Sequence, residues 1–267
     1  MERKREINFK GKIKANTKRR KQERKNEINE RFKKTGSKNR KFPVKKINEE
    51  RFVFLPKIYT IGKLSKSALA IYPVLCSMAN FDNNEWFHAL QEDLKYASGL
   101  SYTQVRKAIT KLIDLKLLKQ DKVTECKLHY YMYKVEFIRR SSLGERKKDA
   151  FIFHTCIIDS GVWAKLKPRA KALYIALRSA AKIDLQEYCA LEYGMDYNEE
   201  LHELDKDVRG EWYRNRKWDI CYDPLINFCQ SVNISHQNIL PVIKQLEKYV
   251  LVKRYSKIFM VYLKPSF

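Results

Sequence analysis

The sequence predicts a mainly α chain with small β-hairpins, an α+β arrangement in which one compact unit occurs twice behind a basic N-terminal tail. Three observations predict it. Apolar residues recur at helical spacing in short blocks separated by turn residues. Gly and Pro are scarce, with 8 and 7 residues among 267, which suits helices joined by short turns. Two of the blocks return later in the chain in the same order. The length allows two ordinary domains, and a hydrophobic content of 44% supplies their cores.

Residues 1–50 read as a disordered tail. They hold twenty Lys/Arg against seven Asp/Glu, and Ile7, Phe9, Ile13, Ile28 and Phe32 are too sparse to build a core. The block Lys18-Arg19-Arg20-Lys21 repels itself. Such an arm neutralises phosphates without reading sequence; a solubilising leader is the alternative.

The first folded unit is expected over 51–138. Arg51-Phe52-Val53-Phe54-Leu55-Pro56 is an extended apolar entry stopped by proline. Residues 65–80 form a helix with Ala68, Ile71, Tyr72, Leu75 and Ala79 on one face, and Pro73 must kink or break it. Phe81-Asp82-Asn83-Asn84 is turn chemistry, Glu85-Trp86-Phe87 a short strand, and 90–97 a second helix. Gly99-Leu100-Ser101 then turns the chain, with Ser101 as N-cap of a third helix. In that helix Val105, Ala108, Ile109, Leu112 and Leu115 make an apolar stripe. The opposite side carries Thr103, Arg106, Lys107 and Thr110, with no acid before Asp114. Runs at 117–123 and 129–137 flank Thr124-Glu125-Cys126-Lys127 as a hairpin. Helix, strand, helix, turn, helix, hairpin is the order of a winged helix-turn-helix.

Residues 139–150 are polar and charged and read as a linker. The second unit, 151–267, repeats the first. Phe151-Ile152-Phe153 echoes Phe52-Val53-Phe54, and 165–182 aligns without gaps on 63–80, sharing Lys, Leu, two Ala, Tyr, Leu, Ser and Ala. Asn233-Ile234-Ser235 matches Gly99-Leu100-Ser101, and Ile239, Val242, Ile243 and Leu246 fall on Val105, Ala108, Ile109 and Leu112. Leu251-Val252-Lys253 matches Leu117-Leu118-Lys119 before a second hairpin at Tyr255-Ser256-Lys257. Residues 218–222 supply the short strand, and 224–231 the second helix with Pro224 at its tolerated first position. The predicted fold class is therefore tandem winged-helix domains.

An excess of 55 Lys+Arg over 31 Asp+Glu, a formal +24, implies a polyanionic partner, and a helix with a dry back and a donor-rich front suits the major groove of double-stranded DNA. The candidate DNA-binding residues of the first unit are Ser101, Tyr102, Thr103, Arg106, Lys107, Thr110 and Lys111. Lys119, Lys122 and Lys127 are expected on its wing. In the second unit they are His236, Gln237, Asn238 and Lys244 on the helix, with Lys253, Arg254 and Lys257 on the wing. The copies are not equivalent. Gln237, Leu240, Pro241 and Lys244 stand where Thr103, Arg106, Lys107 and Thr110 stand, and Pro241 is expected to remove a bond within the helix. Gln237 suits an adenine edge and Leu240 a thymine methyl, but the same face suits packing on protein. The insertion 183–217 carries ten Asp/Glu against five Lys/Arg, a surface that faces away from phosphates or toward a basic partner. The first copy is expected to be the main reader. The second is expected to support a homodimer, half-site recognition or partner recruitment.

Phe52-Val53-Phe54-Leu55-Pro56, Leu64-Ser65-Lys66-Ser67-Ala68 with Tyr72, and Gly99-Leu100-Ser101 with Val105 and Leu112 resemble the winged-helix domain of plasmid and phage replication proteins. Two such domains are similar in layout to plasmid replication initiators of the Rep type. The resemblance implies binding to repeated origin sequences through both winged helices, a homodimer that represses its own promoter, and a host replicative helicase or its loader as partner. The alternative is a transcriptional regulator of a mobile element with the same fold. The acidic insertion and Leu240-Pro241 depart from the family pattern.

No catalytic constellation is visible, and the chain is expected not to be an enzyme and to need no cofactor. Gly62-Lys63 is followed by Leu64, not by the Ser/Thr of a phosphate-cradling loop. His88, His129, His154, His202 and His236 are isolated, His236 reading as a polar contact after a helix cap. The acids of 196–207 match no ligand scheme, and Tyr130, Tyr131 and Tyr133 read as cross-strand packing. Cys76, Cys126, Cys156, Cys189, Cys221 and Cys229 are dispersed, without zinc spacing, and read as reduced, part-buried thiols. No apolar run approaches a membrane span and no apolar leader is present, so no membrane partner and a cytoplasmic, nucleoid-associated location are expected.

Overall fold

The computed structural model describes residues 51–57, 64–79, 86–125, 128–136, 150–184, 188, 191, 216–222, 225–255 and 258–265. The expectations for the tail, the turn at 81–84, residues 139–149, most of the insertion, Cys126 and Cys189 fall outside them.

In β1 (Phe52–Pro56) buried Val53 and Leu55 alternate with half-buried Phe52 and Phe54, the period-two pattern of a strand with one face on a core. The Ser65 side chain accepts from the Ala68 backbone N–H (3.1 Å) and starts α1 (Lys66–Met78). Every residue from Ala68 to Ser77 is buried, so the helix is enclosed on all sides. That enclosure explains Pro73. The helix continues through it without a break, and packing all round offsets a cost of about 3 kcal/mol for an interior proline. Then come β2 (Phe87–His88), α2 (Gln91–Ser98), α3 (Tyr102–Asp114) and the antiparallel hairpin of β3 (Leu118–Glu125) and β4 (Leu128–Val135), in the sheet order β2-β4-β3.

The second half begins with β5 (Ala150–His154), α4 (Cys156–Asp159) and α5 (Val162–Lys165), which lead into α6 (Pro168–Ala180). Like α1, α6 is buried all round. β6 (Trp218–Cys221), α7 (Leu225–Ser231), a 3-10 turn (His236–Asn238), α8 (Ile239–Lys248), β7 (Val252–Tyr255) and β8 (Ile258–Tyr262) follow. Their sheet order, β6-β8-β7, has the connectivity of β2-β4-β3.

The repetition extends to single residues. Gly99 and Asn233 both take left-handed backbone (φ 64° and 50°), and so do Lys116 and Val250 (57° and 52°) just after α3 and α8. Tyr72 donates to the Glu136 carbonyl just past β4 (2.9 Å), while its counterpart Tyr174 donates to the Tyr262 carbonyl at the end of β8 (2.8 Å). Each tyrosine ties a central helix to the last strand of its own half, and burial pushes both phenols up.

The halves share one core. β1 pairs antiparallel with β5, and exchanging each residue of that ladder for its counterpart returns the same pairs: Val53↔Phe153 becomes Phe54↔Ile152. The ribbon thus has a local two-fold axis. Ala150, expected to end the linker, instead opens β5, because its pairing with Pro56 completes the ladder. α1 packs against α6, and Trp163 of α5 donates its indole N–H to the Ala70 carbonyl of α1 (2.8 Å). Its ring meets Phe153 and Tyr174 edge-on at 5.2 and 6.2 Å. Buried Arg178 and Asp219 pair at 2.8 Å, with Arg216 on the same carboxylate at 2.6 Å. Burial pushes the Asp219 carboxyl up, but the two guanidiniums outweigh that and hold it below the usual carboxylate range. Cys76, Cys156, Cys221 and Cys229 are buried thiols.

Candidate nucleic-acid interface

The candidate interface is the angle between α2 and α3. Gly99 ends α2 in left-handed backbone, its N–H bonded to the Lys95 carbonyl (2.8 Å). A Cβ there would lie 2.0 Å from the Ala164 carbonyl oxygen of α5, so glycine is required both by the backbone and by the close approach of the second half. Ser98 and Leu100 are buried beneath the turn. Ser101 then starts α3 with a complete capping box: its hydroxyl accepts from the Gln104 N–H (3.3 Å), and the Gln104 side chain accepts from the Ser101 N–H (3.0 Å).

Val105, Ala108, Ile109 and Leu112 of α3 are buried, while Ser101, Tyr102, Thr103, Arg106, Lys107 and Thr110 are exposed and Lys111 is half-buried. The donor-rich face lies together on one side of a helix anchored at its start. Arg106 donates from Nε to the Gln91 side-chain oxygen at the beginning of α2 (3.3 Å). The Thr110 hydroxyl donates back to the Arg106 carbonyl (3.2 Å), so its proton is used within the helix. The Lys95 ammonium lies 4.7 Å from the Tyr102 ring centroid and 5.4 Å from that of Tyr96, and both rings are exposed. Gln91, Lys95 and Tyr96 escape sequence reasoning, because their link to α3 is tertiary and follows no helical period.

On the first hairpin Lys122 is exposed. Lys119, near the base of β3, is exposed as well, and its ammonium lies 2.7 Å from the Glu136 carboxylate in a surface ion pair. Lys127 lies outside the described residues.

In the second half Gln237, Asn238, Lys244, Lys253 and Arg254 are exposed. His236 belongs to the 3-10 turn, its side chain falling outside the described residues, as does Lys257. The Asn238 amide donates to the Ser235 hydroxyl (2.7 Å), so the capping box of α3 is not rebuilt. Pro241 is a correction to the sequence reading. The α-helix starts only at Ile239, which places Pro241 in the first turn, where the N–H has no intrahelical partner to lose. The 3-10 winding of the preceding residues accommodates the ring. Leu240 is 55% exposed beside it.

Among the described residues no group of three His, Cys, Asp or Glu side chains is placed to hold a metal ion, and no helix is long and apolar enough to cross a membrane. Residues 62–118 match the family model of a helix-turn-helix domain. The matched span holds α1, α2 and α3, and a domain of this class supports double-stranded DNA as the partner. Compared with curated proteins and with solved structures, the chain has no match.

Proposed function

We propose that the chain is a sequence-specific double-stranded DNA-binding protein built from tandem winged helices, and that it acts as a replication initiator of a plasmid or mobile element. The observation that carries the DNA reading is the capped α3 with its exposed Thr103, Arg106 and Lys107, set on a buried stripe within the helix-turn-helix match. The repeated connectivity supports a second winged helix. The local two-fold of the β1–β5 ribbon joins the two halves at equivalent strands, which supports an arrangement with two half-sites on one duplex. The net charge of +24 supports strong phosphate contact. The protein binds DNA without catalysis, and a host helicase or its loader and a second copy of the chain are its proposed partners. The initiator role rests on the resemblance of the first unit to plasmid and phage replication domains.

Footprinting of DNA flanking the gene, repeated over a salt series, tests this reading. Protected direct repeats with local melting are the expected result for an initiator. Occupancy of a promoter without melting assigns a transcriptional regulator instead. Binding to random DNA alone, with a steep salt slope, contradicts sequence-specific recognition.

A further inference from the structure

Arg106 and Gln91 form a side-chain pair across the helix-turn-helix angle, Nε to Oε1 at 3.3 Å, between the first residue of α2 and the outer face of α3. The internal repeat places Leu225, the first residue of α7, at the position of Gln91, and Leu240 at that of Arg106. The two members change together. Where the arginine is lost, its acceptor is lost with it, and Leu240 stands 55% exposed.

A guanidinium has five N–H donors in one plane. With Nε–H taken by Gln91, the four that remain belong to the two terminal nitrogens, which form a parallel fork. That fork matches the O6 and N7 acceptors of guanine in the major groove, the commonest specific contact of arginine with a base. An arginine on an exposed helix face samples many rotamers, and an acceptor on a neighbouring helix favours those that keep the bond before DNA arrives.

We propose that Gln91 is a specificity-determining positioning residue, holding Arg106 so that its terminal nitrogens read a guanine, and that the Leu225–Leu240 couple removes this reading from the second copy. The proposal rests on the DNA-binding function above. The single-copy pairing predicts one G·C position in the target set by the first unit, with no equivalent set by α8.

The test is selection of sites from a random duplex library by the full chain, run for the natural sequence, Arg106→Ala, Gln91→Met and Gln91→Glu. The natural chain is expected to enrich a site with one dominant G·C position. Arg106→Ala and Gln91→Met are expected to reduce the preference at that same position about tenfold, leaving the other positions and the salt slope in place. Gln91→Glu keeps an acceptor and is expected to retain the preference. Gln91→Lys, a second acceptor-free variant at this surface position, repeats the measurement should Gln91→Met fold poorly. An unchanged G·C preference in the acceptor-free variants overturns the proposal, as does an equal loss at every position, which is what a merely structural role would give. If the natural chain enriches no sequence at all, the DNA-reading function itself fails, and this inference fails with it.

Discussion

The α2–α3 angle and the α7–α8 angle differ most where the backbone is most alike. Gly99 and Asn233 share left-handed backbone, α3 and α8 bury the same stripe, and both helices close on a left-handed residue. Yet α3 begins on a full capping box and presents Arg106 and Lys107, whereas α8 begins through a 3-10 turn and presents Leu240 and Pro241. A scaffold is specified by buried residues and special φ values. The chemistry of its outer face is free to diverge once those are kept.

The largest effect that sharpens this contrast is expected at the turns. Gly99→Val places a side chain on the Ala164 carbonyl and forces a β-branched residue to positive φ, and is expected to cost about 4 kcal/mol or more of stability in urea unfolding. Asn233→Gly, at the matching turn, is expected to change stability by only about 0.5 kcal/mol, because asparagine already tolerates that backbone. A loss at Gly99 as small as that at Asn233 would contradict the close approach of Ala164 to this turn.

Next comes the central helix pair. Lys171 is fully buried where the first half has Leu69, and its ammonium bonds to the Leu166 carbonyl. Burial pulls it down from 10.5 to about 7. Between those values the unfolded chain holds a proton that the folded chain has released, so stability rises with pH, and below about 7 the penalty is constant. The rise from pH 7 to 10 is expected to be on the order of 3 kcal/mol for this group. Lys171→Leu, which restores the residue of the first copy, is expected to stabilise the chain at pH 7 and to flatten its stability against pH relative to the natural sequence. Denaturation midpoints over that range measure both, and parallel profiles would contradict the assignment.

The smallest effect separates the helix starts. Ser101→Ala removes one arm of a reciprocal box and is expected to cost about 1 kcal/mol. Ser235→Ala is expected to cost about 0.3 kcal/mol, since among the described residues its hydroxyl bonds the exposed Asn238 amide. Thermal melts compared pairwise decide the matter; equal losses would mean that the 3-10 entry of α8 depends on its serine as α3 does.

Much of this architecture is legible in the residues. The stripe Val105, Ala108, Ile109 and Leu112 fixes which side of α3 is buried, and therefore which side carries Arg106 and Lys107 outward. The match of Asn233-Ile234-Ser235 to Gly99-Leu100-Ser101 anticipates two turns with the same backbone, because Gly and Asn are the residues that tolerate positive φ. What escapes the sequence is tertiary. Trp163 reaches the Ala70 carbonyl, and Ala164 meets Gly99, across a long chain separation and through short helices with too few residues to show a period. The Lys119–Glu136 pair follows from strand pairing, and the Gln91–Arg106 bond from the angle between two helices. Pro241 is misjudged from sequence because its meaning depends on where α8 starts, and that boundary is set by a turn of 3-10 helix.

In the proposed function the first copy's α3 is the principal reader of DNA. The most direct measurement of that role is the affinity of Arg106→Ala and Lys244→Ala for a footprinted site and for random duplex, at matched salt. Arg106→Ala is expected to lose about 2 kcal/mol on the specific site and little on random DNA, while Lys244→Ala is expected to lose less than about 1 kcal/mol on either. Specific binding that survives Arg106→Ala but is abolished by Lys244→Ala would contradict it.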